Sequence, residues 1–351
     1  MAEPAKISQT QLARELGVSQ ALVSLVLNGR KQGINAETYE RIWAHAVKRG
    51  YHPKGMRLDS SPAAQRPRSV GIILRAPMRL STLGNYFGQV HHGLHTALVG
   101  QGLTTVFLGA EDELTAERLD QHFSGAQAFQ GVVLFGEVQR RFLERLRQHE
   151  RRIVVVSARY PGLCHSVLGN EPQALEQLVQ HLVGLGHQRI AWLGGNRHLA
   201  RHGDRLAAFQ RALAEAGLKL NPRYVLQLQQ ADRAEGTEAM HQLLTHTRRS
   251  DFPTAAVCYN SLMAHGAARA CLRHGWKIPD DFSLAGADTP RTDLDEPPQI
   301  TGAGTNPARL GETAARLIVN STGADDEPFT DVMLPSQLSL GTSTGPALVR
   351  I

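Results

Sequence analysis

Residues 7–28 read ISQTQLARELGVSQALVSLVLN, and this segment constrains the fold more than any other part of the chain. Ser8 and Gln11 have the spacing of a capping box, which satisfies exposed amide donors and starts a helix. Gly17 stands where a left-handed residue would end that helix, and Ser19 can cap a second helix. The segment therefore predicts two short helices joined by a tight turn.

The spacing of small and apolar residues narrows this prediction. Ala13, Gly17 and Val23 give the pattern A-x3-G-x5-V, which is typical of a helix-turn-helix. An ordinary helical hairpin with the same apolar stripe is the competing interpretation. A third helix is predicted between a cap at Asn35 and a stop at Gly50. Three short helices cannot bury much core, so the unit is more plausible as a DNA-reading head than as an enzyme.

The net charge of +6 lies entirely in the first part of the chain. Residues 1–68 contain 11 Lys and Arg against 5 Asp and Glu, whereas the remaining residues contain 27 of each sign. A polyanionic partner is the direct inference, because phosphate neutralisation supplies most non-specific DNA affinity. A basic surface that is merely solvated would give the same count, so charge alone leaves both interpretations open.

Length and composition restrict the class of protein further. A chain of 351 residues exceeds one comfortable core, so two or three domains are expected. Cys164, Cys258 and Cys271 form no C-x-x-C pair, and their odd number argues against a disulfide scaffold, so we expect them to be buried apolar side chains. The sequence has neither an apolar signal core nor a run of 18 apolar residues, which leads us to expect a cytoplasmic protein with no membrane partner.

After a linker at residues 54–69, apolar runs rich in β-branched residues alternate with amphipathic stretches. The runs lie at 70–74, 104–109, 131–135 and 152–157, and then at 189–195, 224–228, 254–259 and 282–287. Such alternation indicates parallel βαβ units. The fold class expected is an all-α helix-turn-helix head followed by two doubly wound, Rossmann-like α/β lobes. Ligands of such sheets bind at the carboxyl ends of the strands, here in a cleft between the lobes.

The order of these parts resembles the LacI/GalR family of bacterial repressors, with lobes of the periplasmic-binding-protein type. The matching motifs are LGVSQALVSLVLNG (16–29), LGHQRIAWLGG (185–195), RLAAF (205–209) and KIPDDFSLAGAD (277–288). The resemblance covers essentially the whole chain. It implies a homodimeric transcriptional regulator that binds a pseudo-palindromic double-stranded DNA operator. Because members of the family are commonly repressors, repression is the expected action. It also implies control by a small-molecule effector, a sugar or sugar derivative, with no cofactor. A cytoplasmic sugar-binding or enzymatic α/β protein with an accessory DNA-binding head is the alternative.

The family's topology implies that the chain crosses between the lobes three times, near residues 168, 300 and 330. The expected division is a head at 1–53, a hinge at 54–69, lobe 1 at 70–168 with 301–330, and lobe 2 at 169–300 with 331–351.

The resemblance places the second helix of the head in the major groove of DNA. Gln20 can pair with an adenine edge, and Ala21 or Leu25 can pack on a thymine methyl group. The family commonly has Arg where this chain has Leu25, so the usual guanine contact is expected to be missing. The head residues expected to contact DNA are Ser19, Gln20, Ala21, Leu22, Ser24, Leu25, Asn28 and Thr38.

The hinge departs from the family pattern. Family members insert a leucine from a short hinge helix between base steps, whereas this chain has GMRLDSSPAA after Lys54. Pro62 would limit a helix there, and Met56 or Leu58 could replace the leucine that family members insert between base steps.

Two cleft residues match the family's ligand-binding positions most directly. Arg205 can donate two hydrogen bonds to a hydroxyl pair or carboxylate, and Asp288 can accept from two sugar hydroxyls. Surface or inter-lobe pairing of the two is the alternative. The other residues expected at the effector site are Asn85, Phe87, Ser157, Arg159, Asn170 and Asn260.

Two histidine groups raise the question of a metal site. His198 and His202 have H-x3-H spacing, and His91, His92 and His95 lie close together on one predicted helix. Neither group has cysteine or carboxylate partners at ligand spacing, so no metal site is expected. The sequence contains no G-x-S-x-G, P-loop or H-E-x-x-H motif, and no enzymatic activity is expected.

Overall fold

The computed structural model describes residues 8–27, 30, 33–49, 51, 69–79, 85–124, 129–247, 251–290, 296–324 and 327–348. The chain forms two compact units, Met1–Gln65 and Arg66–Ile351. The first unit contains the head, and the second contains both lobes. Of the predicted DNA contacts, Asn28, Met56 and Leu58 lie outside the described residues, as does the hinge up to residue 68.

The described residues of the head form three helices, α1 (Gln9–Leu16), α2 (Gln20–Leu27) and α3 (Ala36–Lys48). All three contribute to one small apolar core. Its buried members are Leu12, Ala13, Val23, Val26, Leu27, Ile42 and Ala46. The apolar stripe predicted from the sequence is therefore confirmed as the face that joins the helices.

Caps define the ends of the head helices as the sequence predicts. The main-chain N–H of Gln11 donates to Ser8 Oγ at 3.2 Å, and that of Ser8 donates to Gln11 Oε1 at 2.9 Å, which completes the capping box. Gly17 ends α1 in the left-handed conformation with φ +65°. Ser19 Oγ then accepts from the N–H of Leu22 at 3.2 Å and starts α2.

An ion-pair group ties α1 to α3 on the outside of the head. Glu15 accepts from His45 Nε2 at 2.7 Å and from Arg49 Nη2 at 2.7 Å. Its hydrogen bonds with Arg49 and His45 lower the pKa of Glu15. The group is solvated, so it orients the helices more than it stabilises them.

Each lobe is built on a six-stranded sheet. In lobe 1 the strands lie in the order β11 (Asp331–Leu334), β5 (His165–Gly169), β4 (Ile153–Val156), β3 (Val132–Phe135), β1 (Ser69–Leu74) and β2 (Thr104–Ala110). In lobe 2 the order is β12 (Gln337–Ser339), β10 (Thr301–Gly304), β9 (Ser283–Gly286), β8 (Ala255–Cys258), β6 (Ile190–Gly194) and β7 (Val225–Gln227). All neighbouring strands are parallel except β10 and β12, which are antiparallel.

Helices cover the sheets, as the predicted doubly wound fold requires. Those of lobe 1 are α4 (Asn85–Val99), α5 (Ala116–Phe123), α6 (Arg140–His149) and α11 (Pro307–Asn320). Those of lobe 2 are α7 (Glu171–Gly184), α8 (Ala200–Glu215), α9 (Arg233–His246) and α10 (Ser261–Arg273), with a 3-10 turn at Pro222–Tyr224. In lobe 1, separate apolar clusters join the sheet to α4 and α11 and to α5 and α6. The three cysteines are buried, as predicted.

The helix pair α4 and α11 packs unusually closely. A Cβ atom added to Gly93 would lie 2.0 Å from the carbonyl oxygen of Ala308, and one added to Gly311 would lie 2.0 Å from that of Val90. Only glycine allows the two backbones to approach this far.

The predicted domain boundaries are wrong by a few residues at each crossing. Thr301–Gly304 pairs in the sheet of lobe 2 and Asp331–Leu334 in that of lobe 1, whereas the sequence placed each in the opposite lobe. Gly169 and Ser69 likewise belong to strands of lobe 1 rather than to lobe 2 and the hinge. The crossings therefore follow Gly169, Gly304 and Leu334, because the pairing of β5, β10 and β11 holds each strand in its sheet up to its last residues.

Candidate functional site

A cleft of about 300 Å³ lies between the lobes, where the carboxyl ends of strands from both sheets meet. Its lining combines guanidinium, carboxylate and amide groups with aromatic rings. The lining residues that bear on function are Arg75, Tyr86, Phe87, Glu137, Asn196, Arg201, Arg205, Gln230, Asp232, Tyr259, Asn260 and Asp288. This is the position at which doubly wound proteins bind ligands.

Arg205, a predicted effector contact, is buried in the wall of the cleft. Its Nε and Nη2 atoms donate to Glu171 Oε2 and Oε1 at 3.0 and 3.1 Å. Its Nη1 atom donates to the carbonyl oxygen of Tyr259, and its guanidinium carbon lies 4.4 Å from the centre of the Tyr259 ring. These contacts on three sides fix the guanidinium plane before any ligand enters.

Glu171 holds a second guanidinium as well. Arg201, one helical turn before Arg205 on α8, also donates to Glu171 Oε1. Burial alone would raise the pKa of Glu171, but the positive charges of Arg201 and Arg205 outweigh that effect and lower the pKa to about 2. The carboxylate therefore stays ionised at neutral pH, and one negative charge serves two buried cations.

Asp288 and Asn260 meet at the start of α10. Asp288 Oδ1 accepts from the N–H of Ser261 at 2.7 Å and also from its hydroxyl group. Asn260 Oδ1 accepts from the N–H of Met263 at 2.8 Å, and its Nδ2 donates to the carbonyl oxygen of Ala231 at 2.9 Å. Both predicted residues line the cleft, and both are oriented by the amino terminus of a helix.

Phe87 belongs to an aromatic group at the floor of the cleft. Its ring stacks on Phe135 with centroids 5.7 Å apart and meets Tyr86 edge-on at 5.0 Å. The Tyr86 hydroxyl hydrogen-bonds to Ser157 Oγ at 2.9 Å. Asn85 begins α4, and its side chain lies outside the described part of the chain.

The structure does not bring three of the predicted residues into the cleft lining. Ser157 and Arg159 line a second cavity of about 490 Å³, which shares Glu137 and Arg201 with the cleft. Arg159 is exposed and pairs with Asp331. Asn170 caps α7 through a 3.2 Å bond from the N–H of Gln173 to its Oδ1.

Several cleft residues were not predicted from the sequence. The most important are Arg75, Glu137, Arg201 and Tyr259, which line the cleft, and Glu171, which pairs with the cleft residues Arg201 and Arg205. Glu137 of lobe 1 reaches across the cleft and accepts from the N–H of Ala200 at 3.1 Å, at the amino terminus of α8. Arg75 and Glu137 each follow a predicted strand, and that position was the available signal. No comparable signal pointed to Glu171, which stands 34 residues from Arg205.

On the head, α2 presents most of the predicted DNA contacts. Gln20, Ala21 and Leu25 are exposed, and Leu25 is 39% accessible although it is apolar. Ser24 is half-buried, and Leu22 packs partly against the head core. Two predicted contacts lie beside α2: Ser19, which is exposed and caps it, and Thr38, which is half-buried on α3.

The histidine groups have other partners in the structure. His202 bonds to the carbonyl oxygen of Gly195 at 2.8 Å and to Gln227 Oε1 at 3.2 Å. His91 and His95 both contact the hydroxyl of Thr105. Within the described ranges, no three potential metal ligands come together. In the same part of the chain, no helix is both long enough and apolar enough to cross a bilayer.

A helix-turn-helix head joined to two lobes that enclose a polar cleft defines the class of ligand-responsive DNA-binding proteins. Residues 179–344 match the family model of a periplasmic binding protein-like domain. Over 358 residues the chain is 30% identical to the maltose regulon regulatory protein MalI of Escherichia coli strain K12, covering 96% of this chain and 99% of that protein. The chain belongs to the LacI/GalR family of transcriptional regulators.

Other comparisons agree with this assignment. The HTH-type transcriptional repressor PurR of Aliivibrio salmonicida is 23% identical over 88% of this chain and 90% of its own length. Two solved structures share the fold. The transcriptional regulator CelR–cellobiose complex has a TM-score of 0.67 at 22% identity, covering 96% of this chain and 100% of that one. The lac repressor dimer bound to operator and the anti-inducer ONPF has a TM-score of 0.67 at 21% identity, covering 97% and 100%.

Proposed function

We propose that this protein represses transcription as a homodimer bound to a pseudo-palindromic DNA operator, and that a carbohydrate-type effector in the cleft changes its operator affinity. The observation that carries the proposal is the coexistence of an exposed face on α2 with a preformed polar cleft between two lobes. One surface suits a duplex and the other suits a small ligand.

Solved structures of similar proteins support both the DNA-binding part and the effector-binding part of the proposal. One structural neighbour is a dimer on its operator, and another holds cellobiose. The cleft of this chain offers the hydrogen-bonding groups and apolar ring faces that a sugar ligand requires. Asp288 and Asn260 supply oxygen and amide groups for hydroxyls, Arg205 supplies a fixed donor, and the rings of Phe87 and Tyr259 supply apolar faces.

DNA recognition is assigned to α2 in the major groove. Gln20 would read an adenine edge, and Ala21 or Leu25 would pack on thymine methyl groups. The polar residues Ser19, Ser24, Asn28 and Thr38 would hold phosphates and fix the register, which positions without specifying sequence. Met56 or Leu58 of the hinge would enter the minor groove.

Control by the effector requires that it bind the two lobe arrangements with different affinity. The bond from the N–H of Ala200 to Glu137 spans the cleft and belongs to the arrangement described here. A ligand that strengthens or breaks such bridges would shift the balance between arrangements. We assign no reaction to the protein, because its relatives are regulators rather than enzymes, and we place its action on DNA in the cytoplasm.

Binding of the full-length protein to the DNA upstream of its own gene tests the proposal. A palindrome in that DNA should bind tightly, and insertion of about half a helical turn between its half-sites should abolish tight binding, because a two-fold dimer needs both half-sites on one face. A panel of sugars screened by thermal unfolding then identifies effectors, which should also change operator affinity. Equal affinity for every spacing would refute the dimeric operator complex.

A further inference from the structure

The carboxylates around the cleft are all engaged with hydrogen-bond donors of the protein. The pairs are Glu137 with the N–H of Ala200, Glu171 with Arg201 and Arg205, Asp232 with the N–H of Glu235, and Asp288 with the N–H of Ser261. Three of these donors are main-chain groups at the amino termini of α8, α9 and α10. The negative charge of the cleft is thus compensated within the protein.

Arg75, which follows β1, is different. Its side chain lies against Gly136 so closely that a Cβ atom there would be 2.5 Å from Arg75 Cδ and 3.3 Å from Nε. Within the part of the chain that the structure describes, the guanidinium makes one long hydrogen bond, from Nη1 to the adjacent carbonyl oxygen of Ala76 at 3.4 Å. Among the described residues, no carboxylate oxygen lies within 4.0 Å of its nitrogen atoms. It is a half-buried cation that lines the cleft and forms no close ion pair with a carboxylate of the described residues, although the charges of Glu137 and Glu111 act on it from a distance.

The carboxylates nearest to Arg75 are committed elsewhere. Glu111 accepts from the N–H of Gln139 at 2.8 Å, and Glu137 accepts from that of Ala200. Burial is the main cause that lowers the pKa of Arg75, and the positive charge of Arg201 acts in the same direction, whereas Tyr259, Glu137 and Glu111 oppose this shift without cancelling it. A guanidinium stays protonated at all relevant pH values, so an anion that approaches it would offset its desolvation.

We propose that the effector is anionic, a sugar phosphate or sugar acid, and that its phosphate or carboxylate group binds Arg75. This inference rests on the proposed function, because it takes the cleft as the effector site. The charged end would bind at the Arg75 guanidinium, near the positive charge of Arg201, which lines the same cleft. The hydroxyl groups of the sugar would reach Asp288 and Asn260. A neutral sugar would leave Arg75 without a partner.

The test uses the full-length protein with four probes: inorganic phosphate, glucose 6-phosphate, gluconate and glucose. Thermal unfolding and calorimetric titration at constant ionic strength should show binding of at least one anion and weaker binding of glucose. Arg75→Met keeps the stem that packs on Gly136 but removes the charge. It should weaken anion binding roughly tenfold to a hundredfold, the usual contribution of a charge-assisted bond.

Two variants control this comparison. Arg75→Lys keeps a point charge and should retain part of the anion affinity. Arg223→Met removes an exposed charge from the 3-10 turn of lobe 2 and should leave anion binding unchanged. If Arg75→Met lowers the unfolding temperature of the ligand-free protein, anion affinity is compared between Arg75→Lys and the wild type instead.

The inference is overturned if no anion binds in an Arg75-dependent manner, or if glucose binds as tightly as glucose 6-phosphate. Operator affinity measured on the same samples separates this failure from that of the proposed function. A neutral sugar that changes operator affinity would overturn the anion site and leave the regulator intact. Arg75-dependent anion binding without any effect on DNA binding would support the site and refute its role as an effector switch.

Discussion

The head and the cleft present their functional groups in opposite ways. On α2, Gln20, Ala21 and Leu25 are exposed side chains on the outside of a small apolar core. In the cleft, Arg205 is buried and bonded to Glu171 and Tyr259. Substitution of an exposed residue on α2 should change the DNA sequence that the head prefers. Substitution of a cleft residue should change ligand binding and also disturb the residues bonded to it.

The difference reflects what each ligand provides. A DNA groove presents a regular array of base edges and phosphates, so the head needs only a correctly oriented helix. A small ligand supplies few contacts, so the protein must fix the donors beforehand to limit the entropy lost on binding. The following predictions test this contrast from the largest expected effect to the smallest.

Leu12→Ala should have the largest effect. It removes a fully buried side chain from the small core of the head and should lower the free energy of unfolding of the head by about 3 to 4 kcal/mol. Operator binding should fall with it, while calorimetric unfolding of the lobes should not change. Leu25→Ala is the matched control, because it shortens an exposed leucine and should leave head stability within about 0.5 kcal/mol. Equal loss of stability in both variants would contradict the assigned core.

Glu171→Gln should destabilise the lobes by about 3 kcal/mol at neutral pH, because it leaves two buried guanidinium groups without their carboxylate. The folded-state pKa of Glu171 is about 2 and its ordinary value is 4.5. A lowered pKa stabilises the fold above the ordinary value, and that stabilisation disappears as pH falls through the interval between them. Denaturant unfolding should therefore show a constant difference from wild type at pH 5 to 8 that shrinks below about 4.5. A difference that grows on acidification would refute the ion-pair assignment.

Arg205→Ala should abolish the response to effector while leaving operator affinity in its absence unchanged. The loss in effector affinity should be at least about tenfold, because a fixed charged donor is removed. Titration of effector against the operator complex measures it, with Arg223→Ala as the control for loss of a surface charge. An unaltered titration curve for Arg205→Ala would remove this residue from the effector site.

Gly17→Ala should have the smallest effect. Apart from its chain neighbours, no atom of the described residues lies within 4 Å of an added Cβ, so the cost is only that of the left-handed backbone at φ +65°, about 1 kcal/mol in head stability. Gly203→Ala, within α8 and equally free of contacts, should instead stabilise the lobes by up to about 1 kcal/mol. The same sign in both variants, measured by thermal unfolding, would contradict the backbone explanation.

The contrast between head and cleft also explains what the sequence could predict. The caps, the turn at Gly17 and the apolar stripe of the head are local patterns, and the structure confirms them. The main strands of both lobes follow from continuous apolar runs. The edge strand Asp331–Leu334 was missed because it is defined by pairing with β5, a segment more than 160 residues away. The short strand His165–Gly169 between β4 and β11 was missed as well.

The cleft was predictable only in part. Arg205, Asn260 and Asp288 match family motifs and do line the cleft. Glu171 and Arg201 carry no local signal, since their roles come from bonds that join different helices. Ser157 and Arg159 follow a strand as expected, but they face a different cavity, which strand-end position alone does not distinguish.

The central claim is that the head recognises a particular DNA sequence, and one titration tests it most directly. Affinity for the palindrome upstream of the protein's own gene and for a scrambled duplex should be measured from about 50 to 200 mM salt. Both affinities should fall as salt rises, because phosphate contacts release counterions, and the palindrome should stay tighter by roughly a thousandfold or more. Coinciding curves for the two duplexes at every salt concentration would contradict the account.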